Sequence, residues 1–349
     1  MYLYILFIDE IRARVRARES TKEALPCLSI SAKVTFITVK MTSPLTMSFI
    51  CGIVEENHWR RQSVSQVEEI RHRENTDRER CAKIYKADEL LQKGRFSLSI
   101  TEQRIILYTI SKIKPSDKVF QEYTLNLKKF CAVCGINQND SYSAIKKIMV
   151  ELRNKSWWIL MDDPNHPGTE CESLINWFSI LRTNKNNGNV TIMFHPDMMP
   201  YLLELARQRE EGHGYYTKYE FRYVLPMRSQ YAIRLYELLK SYQKNNTTWW
   251  FKIDNLKHLL DCDTYTRYAD FRLRVIEPAI KEINKYSDMH INYETEKEGK
   301  RINIIMFRMT EKTIDERIEA QKAGLTTLDG NIHYWDSDTL SDQVNCVVE

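Results

Sequence analysis

Three segments of the chain occur twice, in the same order, and this internal repeat limits the fold more than any other feature. The stretch QRIILYTISK, Gln103 to Lys112, recurs as YAIRLYELLK, Tyr231 to Lys240, with Leu107-Tyr108 matching Leu235-Tyr236. LKKFC, Leu127 to Cys131, recurs as LKHLL, Leu256 to Leu260, and Ile145 to Ser156 recurs as Ile276 to Ser287. One supersecondary unit has been used twice.

Each copy opens with an amphipathic helix. An extended segment rich in aromatic and β-branched residues follows, Val119 to Leu125 or Thr248 to Ile253. Then come a short helix, a polar turn (Gly135 to Asp140 or Asp261 to Thr266) and a helix with an apolar stripe. Two strand-like runs close each copy around a polar tip. In copy one these are Leu174 to Arg182 and Asn189 to His195, flanking a turn that ends at Gly188; in copy two they are His290 to Thr295 and Arg301 to Met309, flanking Glu296 to Lys300. Helix, strand, helix, turn, helix, hairpin is the winged-helix order. The expected class is therefore α+β, with two tandem winged-helix domains related by pseudo-repeat symmetry. They span residues 85–207 and 216–310, between an N-terminal arm (1–84) and an acidic tail (311–349).

The arm lacks the apolar pattern of a third core. Arg12, Arg14, Arg16 and Arg18 alternate with other residues, and charges of both signs, Arg71, Arg73, Arg78 and Arg80 among them, crowd the stretch from Glu55 to Glu89. Such a mixture fits a solvated helix or disorder, or a basic arm laid on DNA; a start at Met41 or Met47 is a further reading. The apolar run Met1 to Ile8 ends at Asp9 and Glu10, too short to cross a bilayer and without the basic lead of a signal peptide. Eight scattered cysteines suit a reducing compartment. A cytoplasmic protein with no membrane partner is expected.

The net charge of +4 conceals a gradient. Leu91 to Thr310 carries 33 basic and 25 acidic residues, and Glu311 to Glu349 carries three and nine. The repeat is the basic part, as nucleic-acid binding requires. In the third helix of copy two, Tyr268 to Lys285, periodicity sets Leu273, Ile276, Ala279, Ile280 and Ile283 on one face. Arg267 just before it, Arg274, Lys281 and Lys285 fall opposite, and Tyr268 is grouped with them. A charged face is ordinarily solvation. At the recognition-helix position it lies in the major groove, where arginine can hold guanine through two donors. Pro278 is expected to kink this helix. The copy-one counterpart offers Ser143, Lys146, Lys147 and Asn154, with Ile145, Ile148, Met149 and Leu152 inward. Phosphate contacts are expected from Arg182 and Lys185 on the first hairpin, and from Lys297, Lys300 and Arg301 on the second.

Other signals have duller readings. Cys131 and Cys134 have half a zinc-site spacing but no second pair, so they are expected in the core, and no metal or cofactor is expected. Trp157-Trp158 and Trp249-Trp250 suggest stacking on single strands, yet each pair lies in a strand with one face to cover. A phosphate-binding GxxxxGK[ST] loop and the histidine triplet of a rolling-circle nickase are both missing, so no enzymatic activity is expected.

Three segments also resemble a known family: LLQKGRFSLSITEQRIIL (Leu90 to Leu107), YAIRLYELL (Tyr231 to Leu239) and FRLRVIEPAIKEIN (Phe271 to Asn284). They are similar to replication initiators of theta-replicating, iteron-type plasmids, a resemblance covering roughly residues 85–310. It implies a protein that binds direct repeats in double-stranded origin DNA, helps open an adjacent AT-rich stretch and brings in the host initiator and replicative helicase. It also implies a dimeric form that represses its own promoter. A winged-helix transcriptional regulator, a nicking initiator and a protein-interaction module remain the alternatives.

Overall fold

The computed structural model describes residues 70–329 apart from 115–116, 137–140, 164–165, 167, 185–187, 213 and 245. Its first helix, α1 (70–80), leads into strand β1, Lys83–Ala87. After the two-residue strand β2, Gly94–Arg95, comes α2, Ile100–Ile110. Ser99 starts α2 with a capping box: its hydroxyl accepts from the Glu102 N–H, and the Glu102 carboxylate accepts from the Ser99 N–H at 2.8 Å. Strand β3, Tyr123–Asn126, runs into α3, Leu127–Cys134, where the Asn126 side chain caps the first turn. Helix α4, Ser141–Asn154, precedes four strands: β4 (Ser156–Asp162), β5 (Glu170–Asn176), β6 (Phe178–Thr183) and β7 (Asn189–Phe194).

The second half starts with β8, Tyr216–Glu220, and α5, Gln230–Gln243. Strand β9 (Thr248–Lys252) and helix α6 (Ile253–Leu259) follow. Next, Tyr268–Phe271, Arg272–Ile276 and Glu277–Tyr286 run on as one helix, α7. The hairpin of β10 (Met289–Glu298) and β11 (Arg301–Glu311) precedes α8, Ile314–Asp329.

The repeat is visible in the sheets. In one, β7 lies between β3 and β6; in the other, β11 lies between β9 and β10. In both halves, then, the strand after the first helix pairs with the last strand of the hairpin, and a helix at the recognition position comes just before the sheet closes. These are two tandem winged helices, α+β in class.

Helices α2 and α5 are buried on nearly every face, although both carry polar residues. Their position at the junction of the halves explains this, and several of their polar side chains find partners across it. Gln103 donates to the Gln230 carbonyl at 3.2 Å, and Arg104 to the carbonyls of Leu225 and Met227. Glu237, 1% exposed, takes Lys86 Nζ at 2.6 Å and the Tyr219 hydroxyl. Arg234 donates to the Gly94 carbonyl at 2.6 Å and sits 4.7 Å over the Phe96 ring. Lone charges at such depth would cost far more than these contacts return, so the cluster fixes how the halves meet.

Four expectations need correction. The run Leu174 to Arg182 is two strands, because buried Trp177 breaks it: β5 pairs with β4, and β6 pairs with β7. Copy one thus has an added β4–β5 hairpin that copy two lacks. Strand β8, expected within the second domain, pairs along its whole length with β1. Residues 70–84 are part of the fold. Arg80 is 3% exposed and donates to the carbonyls of Val133 and Ala132, both at 3.0 Å, closing the last turn of α3. The tail is a packed helix as far as Asp329: Gly324 lies on the Pro226 ring, and Thr327 is 3.2 Å from the Tyr286 hydroxyl. Residues 1–69 and 330–349 lie outside the described residues.

Candidate nucleic-acid interface

Helix α7 forms because its C-terminal half has one strong apolar stripe. Ile276, Ala279, Ile280 and Ile283 are buried, as periodicity predicts. Its N-terminal half departs from prediction at Pro278. Proline has no N–H, and in a regular helix its ring would meet the carbonyl four residues back, that of Arg274. The turn Arg272–Ile276 is widened to a π turn, in which the Glu277 N–H donates to the Arg272 carbonyl. Pro278 therefore causes an added residue where a kink was expected.

That residue turns every side chain before it by about 100° relative to an uninterrupted α-helix. Phe271 takes the core position, 0% exposed, and Leu273, expected inward, is 55% exposed. Tyr268, expected on the DNA side, turns toward the core. It is half-buried, its hydroxyl is enclosed without a hydrogen-bond partner, and burial raises its pKa. Tyr268 therefore lies nearer the core than the arginines beside it.

What remains outside is a predominantly cationic face. Arg267, Arg272, Arg274, Lys281 and Lys285 are all exposed. Arg267 lies 3.4 Å from Asp270 and Arg272 lies 3.6 Å from Glu277, exposed pairs worth about 0–1 kcal/mol each. Among the described residues, Arg274 and Lys281 have no carboxylate within ion-pair distance. The Lys285 ammonium sits 4.9 Å over the Tyr286 ring. Of this set, Arg272 was missed by sequence reasoning. A proline four residues after a basic pair was its only sequence signal.

The second wing stands beside this helix. Strands β10 and β11 pair from Met289↔Glu311 to Glu298↔Arg301, leaving a two-residue turn in which Gly299 takes φ 65°. A positive φ at the first turn position matches the right-handed twist of long hairpins and favours glycine. Lys297, Lys300 and Arg301 crowd this exposed tip, with Glu298 tied to Asn303.

Copy one carries weaker equivalents. On α4, Ile145, Met149 and Leu152 are buried and Ile148 is half-buried, as expected. Ser143, Lys147 and Asn154 are exposed and Lys146 is half-buried. Lys147 lies 3.9 Å from Glu151. Arg182 is exposed and pairs with Glu122, and Lys185 lies outside the described residues. Cys131 and Cys134 are buried in the core, and burial pushes the Cys134 thiol up to about 12. Each tryptophan pair splits across its strand: Trp157 and Trp249 pack inward, while Trp158 and Trp250 are exposed.

Two family profiles match the chain in tandem. Residues 83–240 match "Initiator Replication protein, WH1", and residues 252–309 match "Initiator Rep protein, WH2". The chain belongs to the initiator replication protein family. This is the plasmid-initiator resemblance already visible at Leu90 to Leu107 and Phe271 to Asn284. The first profile runs through α5, consistent with the polar junction that binds that helix to β1 and β8. Among solved structures, this initiator is similar to the Pi initiator protein crystallised in complex with iteron DNA. The match has 19% identity and a TM-score of 0.54, covering 67% of this chain and 98% of that one. At that identity the likeness is one of fold. Two lesser similarities are to domains 2 and 3 of RctB (10% identity, TM-score 0.40, 61% and 81% covered) and to the WH1 domain of the MSBI1.176 replication protein (19% identity, TM-score 0.26, 33% and 84% covered). No helix among the described residues is long and apolar enough to cross a membrane.

Proposed function

We propose that this initiator binds direct repeats in double-stranded DNA at a plasmid origin, with α7 in the major groove and the β10–β11 wing on the flanking backbone. One observation carries the reading: the exposed face of α7 is predominantly cationic from Arg267 to Lys285, at the recognition position of the second winged helix. Arg274 is the base reader, Lys281 and Lys285 follow the groove wall, and Lys297, Lys300 and Arg301 take phosphates. Helix α4 adds a weaker contact through Ser143, Lys146 and Lys147. The iteron DNA bound by the Pi initiator supports the choice of ligand.

From the resemblance we extend the proposal to the later steps: opening an AT-rich stretch beside the repeats, bringing in the host initiator and replicative helicase, and repression of its own promoter by a dimer. The chain itself acts in the cytoplasm without catalysis or cofactor. A footprint over tandem repeats beside the gene, resistant to a large excess of random DNA at physiological salt, is the expected result. Equal competition by random DNA contradicts the proposal.

A further inference from the structure

Leu273 is an exposed leucine in the middle of a cationic face. A single exposed leucine is ordinary on a protein surface. This one is unusual in its cause and its neighbours. The π turn that accommodates Pro278 puts Leu273 outside, between exposed Arg272 and Arg274, while Phe271 and Val275 fill the core on either side. All three outward side chains sit in the N-terminal half of α7, the part of a recognition helix that approaches base edges.

Between two arginines, an aliphatic side chain can add no charge and no hydrogen bond to DNA. It can cover a methyl group, and in the major groove only thymine presents one, at C5. We infer that Leu273 reads a thymine by its C5-methyl, next to the base held by Arg274. The inference rests on the proposed docking of α7 in the major groove, and adds to it that the recognised repeat has a thymine at a fixed position which the protein distinguishes from a demethylated pyrimidine. The π turn then has a role in recognition: it exchanges Leu273 for Phe271 in the core, so that an apolar reader stands among charged ones. Arg272, held toward Glu277 at 3.6 Å, guards one side of it.

The test uses the full chain and the duplex it enriches from a randomised pool. Each thymine of that duplex is replaced in turn by deoxyuridine, which removes one methyl and leaves base pairing unchanged. Wild-type binding is expected to weaken about three- to fivefold at one position, roughly what ~0.8 kcal/mol for one buried carbon amounts to. Leu273→Ala should bind the thymine duplex about that much more weakly, keep its melting temperature, and no longer respond to deoxyuridine there. A wild type indifferent to every replacement overturns the inference. So does a Leu273→Ala protein that responds as wild type does, or one that melts substantially lower and so reveals a packing role. Failure of the pool to yield any preferred sequence is a different outcome. It refutes sequence-specific docking itself, and is read before any deoxyuridine is tried.

Discussion

The guanidinium of Arg80 lies 2.7 Å from the carboxylate of Asp329, and between them they join the two ends of the described chain. The same guanidinium closes the last turn of α3 through the Ala132 and Val133 carbonyls. Just past the end of α3, Gly135 takes φ 62°, and a Cβ there would come within 2.5 Å of the Leu328 carbonyl oxygen. Helix α8 therefore seats against α3 only because position 135 has no side chain.

Replacing Arg80 by Ala leaves two buried carbonyls and a carboxylate without their donor, at an expected cost of about 3 kcal/mol. A chain beginning at Cys81 should melt well below one beginning at Ile70. Equal melting temperatures would show that the arm helix contributes nothing.

Glu79 supplies a pH dependence. Burial raises its pKa, but bonds from Lys129, Tyr108 and Lys112 outweigh this and hold it below the usual 4.5. The folded value is depressed, so the stability it brings is present above about 4.5 and is lost as pH falls through the folded value. Denaturant titrations from pH 7 to pH 3 should show a shallower fall in stability for Glu79→Gln than for wild type. Parallel curves contradict this.

Tyr268 separates packing from recognition. Its enclosed hydroxyl has no partner, so Tyr268→Phe should leave the melting temperature unchanged or slightly raised, with DNA affinity unaltered. A several-fold loss of affinity would place Tyr268 in the interface.

The initiator is expected neither to nick nor to hydrolyse its DNA. Supercoiled origin DNA incubated with it and magnesium or manganese should stay intact; site-specific nicking by rigorously purified protein contradicts that.

The repeat made the architecture legible, since each strand and helix of a winged helix leaves a periodic mark. The α7 stripe from Ile276 to Ile283 and the α4 stripe from Ile145 to Leu152 were both read correctly. Leu273 and Tyr268 were misread for one reason: a π turn shifts the helical phase locally, while a period count assumes constant phase. The Trp177 break was hidden because a buried tryptophan continues a strand pattern as well as ending one. Arg80 and the helix Ile314–Asp329 were misassigned because charge density suggests solvation, whereas Arg80 bonds distant backbone carbonyls and the Asp329 carboxylate, and the helix packs on Pro226 and Tyr286.

Base reading by α7 is tested most directly by the salt dependence of binding for wild type, Arg274→Ala and Lys300→Ala, on the enriched duplex, its single mismatches and random DNA. Arg274→Ala should keep its melting temperature, lose about 1–3 kcal/mol on the enriched duplex alone, and cease to discriminate at one base position. Lys300→Ala should weaken every duplex by a similar factor and lower the salt slope by about one. If Arg274→Ala weakens the enriched and the random duplex equally, α7 touches only phosphates and the account of recognition is wrong.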